Sequence, residues 1–100
     1  MLKVGGENVS AAEIERVIIL VPGVREVAVV GKRHPMLDEV PVAFVLAADP
    51  DDPTLIDRVK AACRVALAEF RQPAEVHVLD EFPRATLEKV AKAQLRASLE

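Results

Sequence analysis

The amino-acid sequence predicts an α+β domain. Its two layers are a small, mainly antiparallel three-stranded sheet and the helices that flank it, with an N-terminal β-hairpin. Three observations predict this. The apolar period changes along the chain, from alternation to a helical stripe and back. Two β-rich runs follow one another across a short loop, which favours antiparallel neighbours. Apolar residues make up 51% of 100 residues, enough to bury a single core spanning residues 1–100.

Each element has its own signal. Leu2 to Val9 reads as a hairpin, because Gly5-Gly6 between extended arms supplies the positive φ of a tight turn. Ser10 and Glu13 form an S-x-x-E capping box. Ile14, Val17, Ile18 and Val21 then make a stripe at helical spacing, which Pro22-Gly23 ends. Val24 to Val30 is a strand, Gly31 to Asp38 a loop, and Val40 to Leu46 a second strand. The nearly unbroken apolar run of the second strand calls for cover on both faces or a central place.

Asp52-Pro53 opens a long helix as N-cap and first residue. Its buried face is Leu55, Val59, Ala62, Cys63, Ala66, Leu67 and Phe70, and Pro73 closes it. Val76 to Leu79 is a third strand, Asp80 to Glu88 a polar loop, and Lys89 to Leu99 a last amphipathic helix.

Composition excludes several function classes. Thirteen basic and sixteen acidic residues give a net charge of -3, and aromatics make up only 3%. Such a chain lacks the basic stripe and stacking surfaces of a nucleic-acid binder. The longest apolar runs are far short of the roughly 18–20 residues of a membrane span. The N-terminus has no signal-peptide pattern. A lone Cys63 on an apolar helix face reads as core and fits a reducing, cytoplasmic location. Asp49, Asp51 and Asp52 lack the glycine and terminal glutamate of a calcium loop. His34 and His77 have no ligand spacing, so no metal site is expected.

Two segments carry chemistry. Lys3-Val4-Gly5-Gly6-Glu7-Asn8 offers bare backbone that a ligand chain can approach closely; an ordinary hairpin turn is the alternative. In Pro83 to Lys92, Lys89 at a helix start, with Arg84, adds charge where anions are attracted; a solvated surface lysine is the alternative.

Taken together, five blocks in order resemble the C-terminal domain of the adenylate-forming enzymes, most nearly the acyl-CoA synthetases and carboxylate-CoA ligases. They are Lys3 to Ser10 with Glu13-Ile14-Glu15, then Pro22-Gly23-Val24 to Gly31, then Glu39 to Val45, Phe70 to Pro73, and Asp80 to Lys89. The resemblance spans nearly the whole chain. It implies a mobile small domain whose large N-terminal domain is absent and is its first partner. That larger part would hold the phosphate loop, the adenine and acyl pockets, and the Mg2+ that accompanies ATP. The chain alone would then be inactive.

The resemblance implies roles in a two-step ligation. Lys89 would be the catalytic lysine of adenylation, stabilising charge as a carboxylate attacks the α-phosphate of ATP. Gly5 and Gly6, with Lys3 and Glu7 in the same motif, would line the path of the pantetheine arm when coenzyme A displaces AMP. Phe70, Arg71, Gln72 and the Lys32–Leu37 loop would meet the nucleotide of coenzyme A. Lys89 would also be a substrate for a protein acetyltransferase, which removes its charge. Three positions depart from the pattern, the first being Leu87, which replaces a usual threonine. Glu88 stands where the family has glycine, placing a carboxylate beside the lysine. Leu37 stands where an aromatic residue is common, removing a surface on which adenine could stack. The matching domain of a nonribosomal-peptide-type adenylation enzyme and a free-standing interaction module are the alternatives.

Overall fold

A computed structural model of the chain describes residues 2–84 and 90–99. Leu2–Val4 (β1) and Glu7–Val9 (β2) form the expected hairpin, with Gly5 and Gly6 at φ 56° and 87°. Ala11–Ile19 (α1) follows. The Glu13 N–H donates to Ser10 Oγ at 3.3 Å, as the capping box requires. The Glu13 carboxylate does not return to the cap; it accepts from Arg71 Nη1 at 2.9 Å.

Val24–His34 (β3) and Asp38–Ala47 (β4) are longer than the sequence reading, and they pair antiparallel down to His34↔Asp38. The predicted Gly31–Asp38 loop is therefore a turn of Pro35, Met36 and Leu37, because its flanking residues extend the ladder. Leu55–Ala66 (α2) begins later than predicted. The Asp52 carboxylate accepts from the Thr54 N–H (2.8 Å) and Oγ1–H (2.7 Å), making a turn that leaves Thr54 as N-cap. Leu67 leaves the helix in extended conformation, and Glu69–Arg71 forms a separate 3₁₀ turn. Phe70 is consequently exposed rather than part of the buried face.

Glu75–Leu79 (β5) lies parallel to β4, as the α2 crossover requires. One five-stranded sheet results, and the hairpin joins it. β3 occupies one edge of β4 along its length. β5 takes the other edge at Val42–Leu46, and β1 meets β4 at Val4↔Asp38.

Side chains alternate across β4. Ala43 and Val45 point to the α1/α2 layer, with Ile14, Ile18, Leu55, Val59 and Cys63. Val42, Phe44 and Leu46 point to the opposite face, where Phe82 and Leu95 cover them. The unbroken apolar run of β4 is thus central and covered twice. Burial raises the pKa of the Cys63 thiol above its ordinary value, consistent with a core role.

Leu95 belongs to Lys92–Ala97 (α3), which starts three residues after Lys89. Val90 cannot open a helix because it bridges Arg84 in antiparallel fashion, and the Ala91 N–H donates to Pro83 O at 2.8 Å. The predicted helix start at Lys89 is corrected to this extent. Lys89, Glu88 and Leu87 lie outside the described residues. No helix among the described residues is long and apolar enough to cross a membrane.

Candidate functional site

The structure brings Gly5 and Leu37 together. The Gly5 N–H donates to the Leu37 carbonyl at 2.9 Å. A Cβ on Gly5 would lie 3.3 Å from Leu37 Cδ2, whereas one on Gly6 would meet open space. The two glycines differ accordingly. Gly5 is docked against the β3–β4 turn, and Gly6 presents bare backbone outward. Lys3 pairs with Asn8, and Val4 with Glu7, so Lys3 and Glu7 lie on the exposed arms of the same hairpin.

Glu39 anchors the base of this hairpin. Its Oε1 accepts from the Lys3 N–H at 3.4 Å, and its Oε2 accepts from Arg96 at 3.0 Å. Gly31 makes room for it: a Cβ there would strike the Glu39 carboxylate and lie 2.8 Å from Leu2 Cδ2. Glu15 does a similar task at the free edge of β3. It accepts from the Val29 N–H at 2.9 Å and pairs with Lys92 at 2.9 Å. Sequence reasoning used Glu15 and Glu39 only as motif letters, and Glu13 only as a local cap. Their spacing signals no tertiary partner, so their anchoring roles were out of reach.

The β3–β4 turn is backed by strained geometry. Asp38 has φ 65°, and the Glu39 N–H closes over it to Leu37 O at 2.8 Å. A non-glycine residue in this region costs on the order of 1–3 kcal/mol, with Asp near the low end. Glycine gives part of that gain back as chain entropy. Asp38→Gly should therefore stabilise the protein by roughly 0.5–1 kcal/mol. The readout is a higher denaturant midpoint at unchanged slope; a lower midpoint refutes it.

Phe70, Arg71 and Gln72 gather elsewhere. The Arg71 guanidinium lies 5.3 Å from the Phe70 ring centroid and pairs with Glu13 at the start of α1. Gln72 Nε2 donates to Leu67 O at 3.2 Å, which occupies its amide. Arg71 is the link between this cluster and the α1 end that follows the hairpin. Lys32, expected in a loop, is on β3 and pairs with Glu75 at 2.7 Å. His77 stacks on Phe44 and meets the other Glu75 oxygen at 2.9 Å.

Lys32 first, and His77 second, hold the Glu75 carboxyl below its ordinary value of 4.5. Arg84 does the same for Glu26, at 2.5 Å. Depressed carboxylates contribute stability above the ordinary range and lose it as pH falls through the folded-state value. Acidification below about pH 4.5 should thus lower the melting temperature. Glu75→Gln should make that fall shallower; an identical acid slope in the variant would contradict it.

A groove of about 750 Å3 opens between α1 and α2, lined by Val17, Leu20, Val21 and Ala62. It contains none of the candidate site residues. Its one cation, Arg58, is engaged by Asp52 and the Pro22 carbonyl. Among the described residues no cluster of His, Cys, Asp or Glu could hold a metal ion.

Glu39, Phe70, Arg71 and Gln72 all lie within a stretch of the chain that matches a known family. Residues 13–89 match the family described as AMP-binding enzyme C-terminal domain. The chain belongs to that family. Within it, the chain is 38% identical over 95 residues to a 2-succinylbenzoate–CoA ligase of Geobacillus kaustophilus, covering 92% of this chain and 19% of the relative. It is 38% identical over 96 residues to a 4-chlorobenzoate–CoA ligase of Pseudomonas sp. strain CBS-3, covering 95% and 18%. The crystal structure of ATP-bound MatB from Rhodopseudomonas palustris superposes with a TM-score of 0.89 at 35% identity, covering 98% of this chain and 19% of that one. The chain therefore spans less than a fifth of the length of these relatives. As an AMP-binding enzyme C-terminal domain it has the family's small α+β architecture.

Proposed function

We propose that this domain works within an ATP-dependent carboxylate–CoA ligase, joined to a large N-terminal domain, and serves both half-reactions. The match across residues 13–89, whose last residue is Lys89, supports this reading most directly. The two CoA ligases at 38% identity favour coenzyme A over a carrier protein as acceptor.

In the first step a carboxylate oxygen bonds to the α-phosphorus of ATP and pyrophosphate leaves. The Lys89 ammonium would neutralise charge on the attacking and phosphoryl oxygens as it builds up. In the second step the thiol gives up its proton, its sulfur bonds to the acyl carbon, and AMP leaves. The outward, side-chain-free backbone at Gly6 suits close passage of a pantetheine arm, and Gly5 holds that backbone in place through Leu37. Lys3 and Glu7 flank the same turn. Phe70, Arg71, Gln72 and Leu37 are our candidates for contacts to the nucleotide of coenzyme A, with Arg71 supplying positive charge. Acetylation of Lys89 by a protein acetyltransferase would silence the first step alone.

The test is product analysis with the full-length protein, a panel of carboxylates, Mg·ATP and coenzyme A. One AMP, one pyrophosphate and one acyl-CoA per turnover is the expected result. Formation of ADP and phosphate, or a thioester only on a carrier protein, would overturn the assignment.

A further inference from the structure

His34 ends β3 half-buried, and its ring is turned inward on its own turn. The Met36 and Leu37 N–H groups both donate to His34 Nδ1, each at 3.1 Å. An Nδ1 that accepts two N–H groups carries no proton, so the neutral ring holds its hydrogen on Nε2. The Leu37 carbonyl then accepts from Gly5 at 2.9 Å and from Glu39 at 2.8 Å. The same turn places Leu37 Cδ2 3.3 Å from where a Gly5 Cβ would be. β1 meets β4 in register only at Val4↔Asp38, so this turn braces the glycine pair directly, while Glu39 and the buried Leu2, Val4 and Val9 hold the arms of the hairpin.

From this geometry we propose that His34 is a positioning residue for thioester formation: it caps the β3–β4 turn whose Leu37 carbonyl holds Gly5. The proposal rests on the ligase reading above. Met36 and Leu37 N–H groups have no other acceptor among the described hydrogen bonds, so losing the ring leaves two donors of the turn to solvent. Leu37 would then sample other conformations, and Gly5 would lose its fixed acceptor. An Asn or Asp at this position can accept the same N–H groups as an Asx-turn, so the acceptor and not the aromatic ring is what matters. In the reading above Lys89 serves the other step, so a defect confined to this turn should leave that step alone.

The experiment compares His34→Ala and His34→Asn in the full-length protein, measuring the two half-reactions separately. His34→Ala should slow acyl-CoA formation from supplied acyl-adenylate on the order of tenfold, the loss of one to two neutral hydrogen bonds. Adenylation should stay within about twofold of wild type. His34→Asn should recover most of the loss. An unchanged thioester rate in His34→Ala, an equal loss in both half-reactions, or an Asn variant as slow as the Ala variant would overturn the proposal. Two spectroscopic readouts are independent of catalysis. Long-range 1H–15N correlation should show that the neutral ring carries its hydrogen on Nε2 and not on Nδ1, and the opposite tautomer sinks the idea. The Gly5 amide resonance should move in His34→Ala and return in His34→Asn. If wild type ligates no acid to coenzyme A, the ligase reading falls, while the tautomer and the Gly5 resonance still decide whether His34 holds the turn.

Discussion

Lys89→Ala in the full-length protein is expected to lower the adenylation rate by a factor of about 10²–10³, the usual cost of removing one electrostatic donor to a developing anion. Acyl-CoA formation from supplied acyl-adenylate should be nearly unchanged. Asymmetry is the substance of this prediction. A structural lysine would affect both half-reactions alike, through the folded fraction. The described residues on either side of Lys89 are firmly tied without it. Arg84 pairs with Glu26 at 2.5 Å and bridges Val90; Ala91 donates to Pro83; Lys92 pairs with Glu15. Truncating Lys89 should therefore leave the melting temperature within about 2 °C, because those ties do not use its side chain. Lys89→Arg keeps the charge but replaces a compact ammonium by a planar fork, and should restore only part of the rate. Equal losses in both steps would remove Lys89 from the role. Glu88 beside it gives a second handle: if its carboxylate competes for the ammonium, Glu88→Gly should raise the adenylation rate.

The same contrast between local and tertiary information governs what was legible in the sequence. The Gly5-Gly6 turn, the Ser10 cap and the Ile14–Ile18 part of the stripe depend on neighbours within a few residues, and each lies where the spacing put it, although α1 ends at Ile19, before the predicted Val21. The double cover of β4 could be read from its run of apolar residues. Boundaries failed where a side chain bonded the backbone of a turn or a distant group intervened. β3 runs on to His34 because a histidine nitrogen closes a three-residue turn, a use of imidazole that no spacing rule encodes. Asp38 sits at positive φ without being glycine, so the turn carried no glycine signal of its own. Phe70 looked like the end of an amphipathic face, but Leu67 breaks the helix first and Arg71 draws the chain back toward Glu13. Site residues were legible as motifs. Their partners were not, because Glu39–Arg96 and Glu15–Lys92 join residues far apart in sequence.

Ile14→Ala is expected to destabilise the protein by about 2–5 kcal/mol, the range for large-to-small changes in a core. Ile14 is fully buried and packs in the cluster that holds Ile18, Val29, Val45 and Val59. Local collapse is the usual route by which such a cavity becomes cheaper, and here it is restricted. Glu13 on one side is held by Arg71, and Glu15 on the other by Val29 and Lys92, so α1 cannot easily sink into the gap. The cost should consequently lie in the upper half of that range. In a domain of this size even about 2 kcal/mol lowers the melting temperature by roughly 8–16 °C. Leu20→Ala is the matched control: the same helix region, similar size, but 81% exposed, so its effect should stay within about 0.5 kcal/mol. Ile14→Val removes one methylene and should cost about 0.5–1.5 kcal/mol. Chemical denaturation with two-state fitting measures all three. A cost for Ile14→Ala no larger than that of Leu20→Ala would mean that the α1 face does not form the core. Kinetically, the variant should reduce both half-reactions in the same proportion, because α1 carries the hairpin end and the Arg71 turn together. That proportional loss is the opposite of the pattern expected for Lys89→Ala, so the two variants separate folding from chemistry in one assay.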